Sequence, residues 1–124
     1  PKTKVKFMVG MDVEKGIKAA KAKKKNLMVF FTDGDYKSEY VEKYSFNDAG
    51  IADYLNKNFL CMFVDVNSKQ GDAVVTKYEI AESFPGFLLF NSKGENKGYA
   101  GGALRTADMM KENFDMYLNY VPNK

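Results

Sequence analysis

The stretch LMVFFTDG, residues 27–34, sets five apolar residues directly before a polar turn. An uninterrupted apolar run of this length is typical of a strand that is buried on both faces of a sheet. A second such run, FLCMFV at residues 59–64, also ends at an aspartate, Asp65. The pattern between the two runs is helical, so the strands are expected to be parallel and joined by right-handed crossovers. The sequence therefore predicts an α/β protein.

Capping residues and hydrophobic spacing place the remaining elements around these two strands. Asp12 caps a predicted helix that runs to about Lys25 and ends at Asn26, and Thr106 caps the last helix. The other expected elements are a strand at residues 4–9, helices at about 37–44 and 49–58, a short helix ending near residue 78, and strands at 87–90 and 97–100. A four-residue turn joins the last two strands, which predicts an antiparallel hairpin. The order β-α-β-α-α-β-α-β-β-α predicts a three-layer α/β/α sandwich with a mixed central sheet, in one domain over residues 1–124.

The residue types that the chain lacks exclude most catalytic machinery. Its 124 residues include no His, no Trp and a single Cys, Cys61. Without His there is neither a Ser–His or Cys–His nucleophile nor a His-ligated zinc site, and one Cys forms neither an intrachain disulfide nor a CxxC pair. Cys61 lies within a predicted buried strand, where a thiol is inert. Asp33 and Asp35 alone provide too few ligands for a metal, so we expect no metal site and no cofactor.

The charge pattern bears on possible partners. The net charge is +3, and among 19 basic residues only Arg105 is an arginine, the type best suited to phosphate and guanine. We therefore expect no nucleic-acid partner. The densest basic stretch, KAKKK at residues 21–25, ends the first predicted helix, where lysines complement the helix dipole. Contact with a phosphate or an acidic partner is the alternative.

The hydropathy pattern predicts no membrane span, because no apolar run approaches the ~18–20 residues that a span needs. The chain begins at Pro1 without an apolar leader, which fits a mature form or a trimmed one. The cytoplasm and the bacterial periplasm are therefore both open as its location.

The order of elements, together with a set of short motifs, resembles the thioredoxin fold, and in particular small bacterial thioredoxin-like domains. The motifs that carry the resemblance are FFTD at residues 30–33, FND at 46–48, VDV at 64–66, KYEI at 77–80 and FPGFLLF at 84–90. Gly94 and the pair Gly101-Gly102 stand where such domains have their hairpin turn and the exit from the last strand. The similarity covers about residues 13–118. It implies that Phe84–Pro85 is the family's cis peptide bond.

The chain departs from this family at the redox site. The family's Trp-Cys-Gly-Pro-Cys corresponds here to the run Gly34-Asp35-Tyr36-Lys37-Ser38, so both redox cysteines are replaced. The buried acid that often precedes the first cysteine by six residues is Val29, and the residue after the family's proline, commonly Thr, is Gly86. Thiol–disulfide exchange needs an attacking thiolate and a resolving thiol, and this loop provides neither. We expect no catalytic residue at this position.

The resemblance implies a peptide-binding surface at the former redox loop. Its expected members are Gly34, Asp35, Tyr36, Lys37, Ser38, Phe84, Pro85 and Gly86. Tyr36 and Phe84 would supply apolar contact area, and the backbone of Phe84 would pair with an extended peptide by strand addition. The two glycines would let a partner's backbone approach, and Lys37 would attract an acidic partner. The alternative is structural: Asp35 only caps a helix, the proline only forms a turn, and the two rings pack inward.

Three functions remain compatible with these residues. The main interpretation is a redox-inactive thioredoxin-fold protein that binds a peptide or a protein. The second is an enzyme related to thiol–disulfide oxidoreductases or isomerases that acts with a partner's cysteines. The third is an accessory domain of a larger protein. A fold alone does not decide among them, because function depends on the site.

Overall fold

A computed structural model describes residues 3–8, 12–80, 83–102 and 106–121 of the chain. The strands are β1 (Phe7–Met8), β2 (Asn26–Thr32), β3 (Phe59–Asp65), β4 (Gly86–Phe90) and β5 (Asn96–Gly101). The α-helices are α1 (Val13–Lys23), α2 (Tyr36–Lys43), α3 (Ala49–Asn58), α4 (Lys69–Lys77) and α5 (Ala107–Leu118). A short 3₁₀ turn, Ser45–Asn47, separates α2 from α3. This order confirms the predicted one, although Val9 of the first predicted strand lies outside the described residues.

The strands form one mixed sheet in the order β1-β3-β2-β4-β5. β3 is parallel to both β1 and β2, whereas β4 is antiparallel to both β2 and β5. Leu27 at the start of β2 lies opposite Leu60 of β3 on one side and Phe90 of β4 on the other. β2 is therefore the central strand, and an apolar residue at every position from 27 to 31 is what a strand covered on both faces requires.

Side chains of β2 alternate between two cores, one on each face of the sheet. Met28 and Phe30 pack with apolar residues of α2, α3 and α5, while Leu27, Val29 and Phe31 pack with residues of α1 and α4. All five side chains are completely buried. Burying side chains of this size contributes about 1.5–3 kcal/mol each to the free energy of unfolding. The two helical layers confirm the predicted α/β/α sandwich.

Polar side chains cap the helices at their first turns. The Asp12 carboxylate accepts a hydrogen bond from the Lys15 N–H at 2.8 Å, and the Thr106 hydroxyl accepts one from the Met109 N–H at 3.1 Å, so both predicted caps are confirmed. Each such cap stabilises its helix by about 1 kcal/mol. Within the residues that the structure describes, none of the helices has the length and apolar character needed to cross a membrane.

The end of α1 differs from the prediction. The helix stops at Lys23, and Lys24 follows in the left-handed conformation with φ 56°. The N–H of Lys24 donates to the carbonyl of Lys21 at 3.1 Å, and that of Lys25 donates to the carbonyl of Ala20 at 3.0 Å. These two bonds form a Schellman motif, a helix ending that usually has glycine at the left-handed position. The expected stop at Asn26 is wrong, because the backbone has already turned two residues earlier.

The sheet brings three loops to one end of the molecule. Thr32 at the end of β2 lies opposite Asp65 at the end of β3, and Phe31 lies opposite Gly86 at the start of β4. The segments that follow β2 and β3 and the segment that precedes β4 are therefore neighbours. We call this the site end of the sheet, because in α/β folds ligands bind beyond the carboxyl ends of parallel strands.

Candidate functional site

The loop after β2 is organised around the carboxylate of Asp33. Its Oδ1 accepts hydrogen bonds from the Asp35 N–H at 3.1 Å and from the Ser38 hydroxyl at 3.0 Å. Partial burial opposes ionisation of Asp33, but these hydrogen bonds outweigh it and lower its pKa below the usual value. Asp33 is therefore a fixed anion that ties the loop to the first turn of α2.

The residues at the two family cysteine positions have structural contacts. The Asp35 carboxylate caps α2, accepting hydrogen bonds from the N–H groups of Lys37 and Ser38, each at 3.0 Å. Ser38 is completely buried, and its hydroxyl is used by Asp33. Neither side chain is free to attack a substrate, and Ser38 has no surface to offer a partner. The capping role considered for Asp35 from the sequence is what the structure shows.

Tyr36 and Lys37 face solvent beside this loop. The Tyr36 side chain is 75% exposed, and the Lys37 ammonium lies 6.0 Å from the centre of its ring. Tyr44, directly after α2, is also exposed. Gly34 has φ 80°, and a β-carbon built there would meet no atom within 4 Å. The space beside Gly34 is therefore open.

The proline segment lies on the other side of the loop. The Phe84–Pro85 peptide bond is cis, and the carbonyl of Pro85 accepts a hydrogen bond from the Gly102 N–H at 2.9 Å. Pro85 is buried, and the ring of Phe84 is half-buried. The backbone N–H and C=O of Phe84 form no hydrogen bond with any other described residue. The ring of Phe84 thus packs partly against the core, while its backbone has no hydrogen-bond partner among the described residues.

The role expected for Gly86 is wrong. Gly86 is buried, and a β-carbon at this position would overlap the ring and hydroxyl of Tyr99 on β5. The Tyr99 hydroxyl donates to the carbonyl of Ser83 at 2.6 Å, and its ring packs edge-on against Phe31 at 5.9 Å. Burial and the nearby Asp33 carboxylate raise the pKa of Tyr99. The space that a glycine leaves is therefore filled by the protein's own tyrosine and is closed to a partner's backbone.

A cleft of about 380 Å³ opens between the loop after β2 and the proline segment. Its lining residues come from four segments, namely the loops after β2 and β3, helix α4 and the proline segment, and are Asp33, Val66, Asn67, Asp72, Val75 and Phe84. The Asn67 side-chain amide donates to the carbonyl of Asp33 at 2.9 Å, which holds the two loops together. Among the residues expected from the sequence, Phe84 lines this cleft, whereas Tyr36 and Lys37 lie outside its lining.

Sequence reasoning missed most of this cleft. Val66 and Asn67 directly follow β3, and Val75 comes from the crossover helix α4. The available signal was topological: β2 and β3 are parallel neighbours, so the segments beyond their carboxyl ends must meet. The residues around Tyr99 in the sequence do not indicate its contact with Gly86, because only the β4–β5 pairing brings the two together.

The single cysteine is remote from the cleft. Cys61 lies opposite Met28 in the sheet, four residues before Asp65 and so roughly 13 Å down the strand. It is buried, and burial raises its pKa to about 12, only partly offset by Lys25. A thiol in this state is protonated at neutral pH and does not act as a nucleophile. Throughout the described residues, no three His, Cys, Asp or Glu side chains are grouped so as to hold a metal ion.

Comparison of the whole structure with solved structures shows that the chain has the thioredoxin fold. A provisionally assigned disulphide-isomerase from Bacteroides thetaiotaomicron is 23% identical, with 98% of this chain and 99% of that one covered and a TM-score of 0.75. A thioredoxin from Thermus thermophilus is 18% identical, with 91% of this chain and 87% of that one covered and a TM-score of 0.73. A disulphide isomerase from Xylella fastidiosa is 18% identical, with 92% and 95% covered and a TM-score of 0.64. Neither a protein-family model nor a curated protein matches the sequence.

Proposed function

We propose that residues 1–124 are one thioredoxin-fold domain that has no thiol–disulfide chemistry and binds an extended peptide segment at the site end. The observation that carries this proposal is the backbone of Phe84 at the rim of the cleft, which forms no hydrogen bond with any other described residue. An extended peptide that adds to an exposed backbone edge gains main-chain hydrogen bonds, and neighbouring pockets select its side chains. Val66, Val75 and the ring of Phe84 supply the apolar part of such a pocket.

The surface outside the cleft supports the same proposal. Tyr36 presents an exposed aromatic ring, and aromatic residues contribute much of the binding energy at protein interfaces. The open space above Gly34 lets a peptide backbone pass close to the loop. Ser38, Pro85 and Gly86 are buried and support this surface from beneath.

The absence of redox chemistry is tested by insulin reduction in dithiothreitol. The reaction needs a thiolate, and Asp35 and Ser38 stand at the positions where the resemblance expects cysteines. The chain should give the rate of a control without protein. Turnover that disappears in the Cys61→Ser variant would assign catalysis to Cys61 and overturn this part of the proposal.

Peptide binding is tested by titrating the ¹⁵N-labelled chain with a peptide library and following its amide signals. A peptide that binds as proposed shifts the amide of Phe84, and the Tyr36→Ala/Phe84→Ala variant weakens its affinity by about 10-fold or more. Tyr44→Ala is the matched control, because this exposed tyrosine lies two helical turns from Tyr36. Unchanged affinity in a folded double variant would mean that the peptide binds elsewhere.

A second candidate function is thiol–disulfide isomerisation with cysteines supplied by a partner. It is favoured by one observation, that two of the similar structures carry the name disulphide isomerase. This candidate requires the chain to accelerate the refolding of scrambled ribonuclease when a dithiol partner is present. Equal rates with and without the chain would eliminate it.

A further inference from the structure

Lysines are concentrated at the end of the sheet opposite the site end. Four strand ends lie on this side of the sheet. They are the starts of β2, β3 and β5, at Asn26, Phe59 and Asn96, and the end of β4, at Phe90. We call this surface the lysine end, and its lysines are Lys21, Lys23, Lys24, Lys25, Lys93 and Lys97. They come from the end of α1, from the β4–β5 turn and from the start of β5.

Two of these lysines contact neighbouring segments at this end of the sheet. The side chain of Lys21 lies over the β4–β5 turn, where its Cδ would be 3.0 Å from a β-carbon at Gly94. Lys93 precedes that glycine, and the Lys25 ammonium bonds to the carbonyl of Asn56 at the end of α3 at 3.2 Å. The side-chain amide of Asn56 also donates to the backbone carbonyl of Lys4, which places the segment before β1 beside the end of α3.

These charges are not neutralised within the described residues. None of the six lysines takes part in an ion pair there, since the pairs join Lys57 to Asp53, Lys77 to Glu14 and Lys111 to Asp115. Glu95 is the acid in the β4–β5 turn, and its carboxylate accepts from the Asn91 amide. The segments that carry these six lysines therefore have an excess of positive charge.

Lys24 has a backbone conformation that is costly for a residue with a side chain. Its φ of 56° is the position of the Schellman motif where glycine is preferred, and a side chain there costs roughly 1–2 kcal/mol. A lysine at such a position keeps a charge where glycine would give a more stable helix end. Residues held in costly conformations often serve function rather than stability.

Exposed apolar side chains adjoin Lys97. Met116, Tyr120 and Val121, at and after the end of α5, are 66%, 62% and 79% exposed. The Lys97 ammonium donates to the carbonyl of Tyr120 at 2.7 Å, which fixes this segment beside the basic surface. Basic side chains with neighbouring apolar ones are the combination that adheres to the headgroup region of an anionic bilayer.

We propose that the lysine end binds the surface of an anionic lipid bilayer, which leaves the site end facing away from the membrane. The ammonium of lysine is a strongly hydrated point charge, suited to a diffuse field of headgroups, whereas arginine suits fixed carboxylate and phosphate partners. The near absence of arginine therefore favours a fluid lipid surface over a structured acidic protein. This association is peripheral and goes beyond peptide binding at the site end.

The test is cosedimentation of the chain with vesicles of phosphatidylcholine alone and of phosphatidylcholine mixed with phosphatidylglycerol. The chain should partition only to the mixed vesicles, and added salt should release it, because salt screens exposed charges. Lys23→Gln/Lys24→Gln should lower the partition coefficient by about 30-fold, from about fivefold per lysine. The control variant, Lys15→Gln/Lys69→Gln, makes the same change in net charge near the site end. It should change the partition coefficient by about twofold or less.

Further experiments distinguish binding to a bilayer from binding to an acidic protein. Met116→Ser/Tyr120→Ser should reduce vesicle binding but leave retention on immobilised poly-glutamate unchanged, because only a bilayer accepts the apolar side chains. Thermal unfolding checks that each variant is folded. Failure to bind the mixed vesicles, equal losses in the two lysine double variants, or retention on poly-glutamate without vesicle binding would each overturn the proposal.

Discussion

The contact between Gly86 and Tyr99 allows a sharp test of how the site end is built. A β-carbon at Gly86 would overlap the ring and hydroxyl of Tyr99. Gly86→Ala therefore forces the tyrosine to move, and with it the hydrogen bond from its hydroxyl to the carbonyl of Ser83. Overpacking of this kind lowers the free energy of unfolding by about 1–3 kcal/mol.

The Tyr99→Ala background should reverse the sign of this effect. The space beside position 86 is then empty, and Gly86 is not among the glycines with positive φ, so alanine fits its backbone. Replacing glycine by alanine at a compatible position stabilises by about 0.4–1 kcal/mol through the unfolded chain. The coupling energy between the two substitutions is therefore about 1.5–4 kcal/mol.

Urea denaturation of the four proteins in this double-mutant cycle measures the coupling. Gly50→Ala is the control, because the neighbours of a β-carbon at Gly50 are Asp48 and Ala107 and not Tyr99. Its effect should be the same in both backgrounds. If Gly86→Ala costs as much without the tyrosine as with it, steric exclusion by Tyr99 is not the reason for glycine at this position.

Three further predictions concern other parts of the fold. Lys24→Gly and Glu79→Gly should each raise the free energy of unfolding by about 0.5–1 kcal/mol in thermal denaturation, because both residues have positive φ after a helix; a lower Tm in both would contradict this. Burial raises the pKa of Cys61 from 9.0 to about 12, so the unfolded thiol ionises first and stability is lost as pH rises across that range. In urea denaturation, this thiol should lower the free energy of unfolding by up to about 1.4 kcal/mol per pH unit, and the Cys61→Ala variant should lack this loss. Equal pH dependence of the free energy of unfolding in the two proteins would refute the prediction. Asp33→Ala should cost about 1–3 kcal/mol by leaving the buried Ser38 hydroxyl without its acceptor. Because its pKa is lowered, the contribution of Asp33 is lost as pH falls below 3.8, and acid denaturation of the variant should lack that component.

The strands and helix starts were predictable because their signals are local. An apolar residue at each position from Leu27 to Phe31 identifies the central strand without knowledge of its neighbours. Asp12 and Thr106 identify helix starts because their side chains bond to N–H groups three residues away. The motifs of the resemblance then indicated the thioredoxin fold.

What could not be predicted depends on residues that are distant in sequence. The helix end at Lys24 has no compositional sign, because lysine rarely adopts the left-handed conformation. Tyr99 closes the space at Gly86 only through the β4–β5 register, in which Leu88 lies opposite Tyr99. Asn67 reaches Asp33 only through the parallel pairing of β2 and β3.

The central position of β2 also has a consequence during synthesis. Phe31 of β2 pairs with Gly86 of β4, so the ribosome makes this apolar strand 55 residues before its second neighbour. At about 5–20 residues per second, that interval is roughly 3–11 seconds. Throughout it, a short apolar segment rich in strand-forming residues has at least one edge unpaired, which is the condition that favours aggregation. The nascent chain should therefore be a good substrate for chaperones that bind extended apolar segments, until β4 is made and closes that edge.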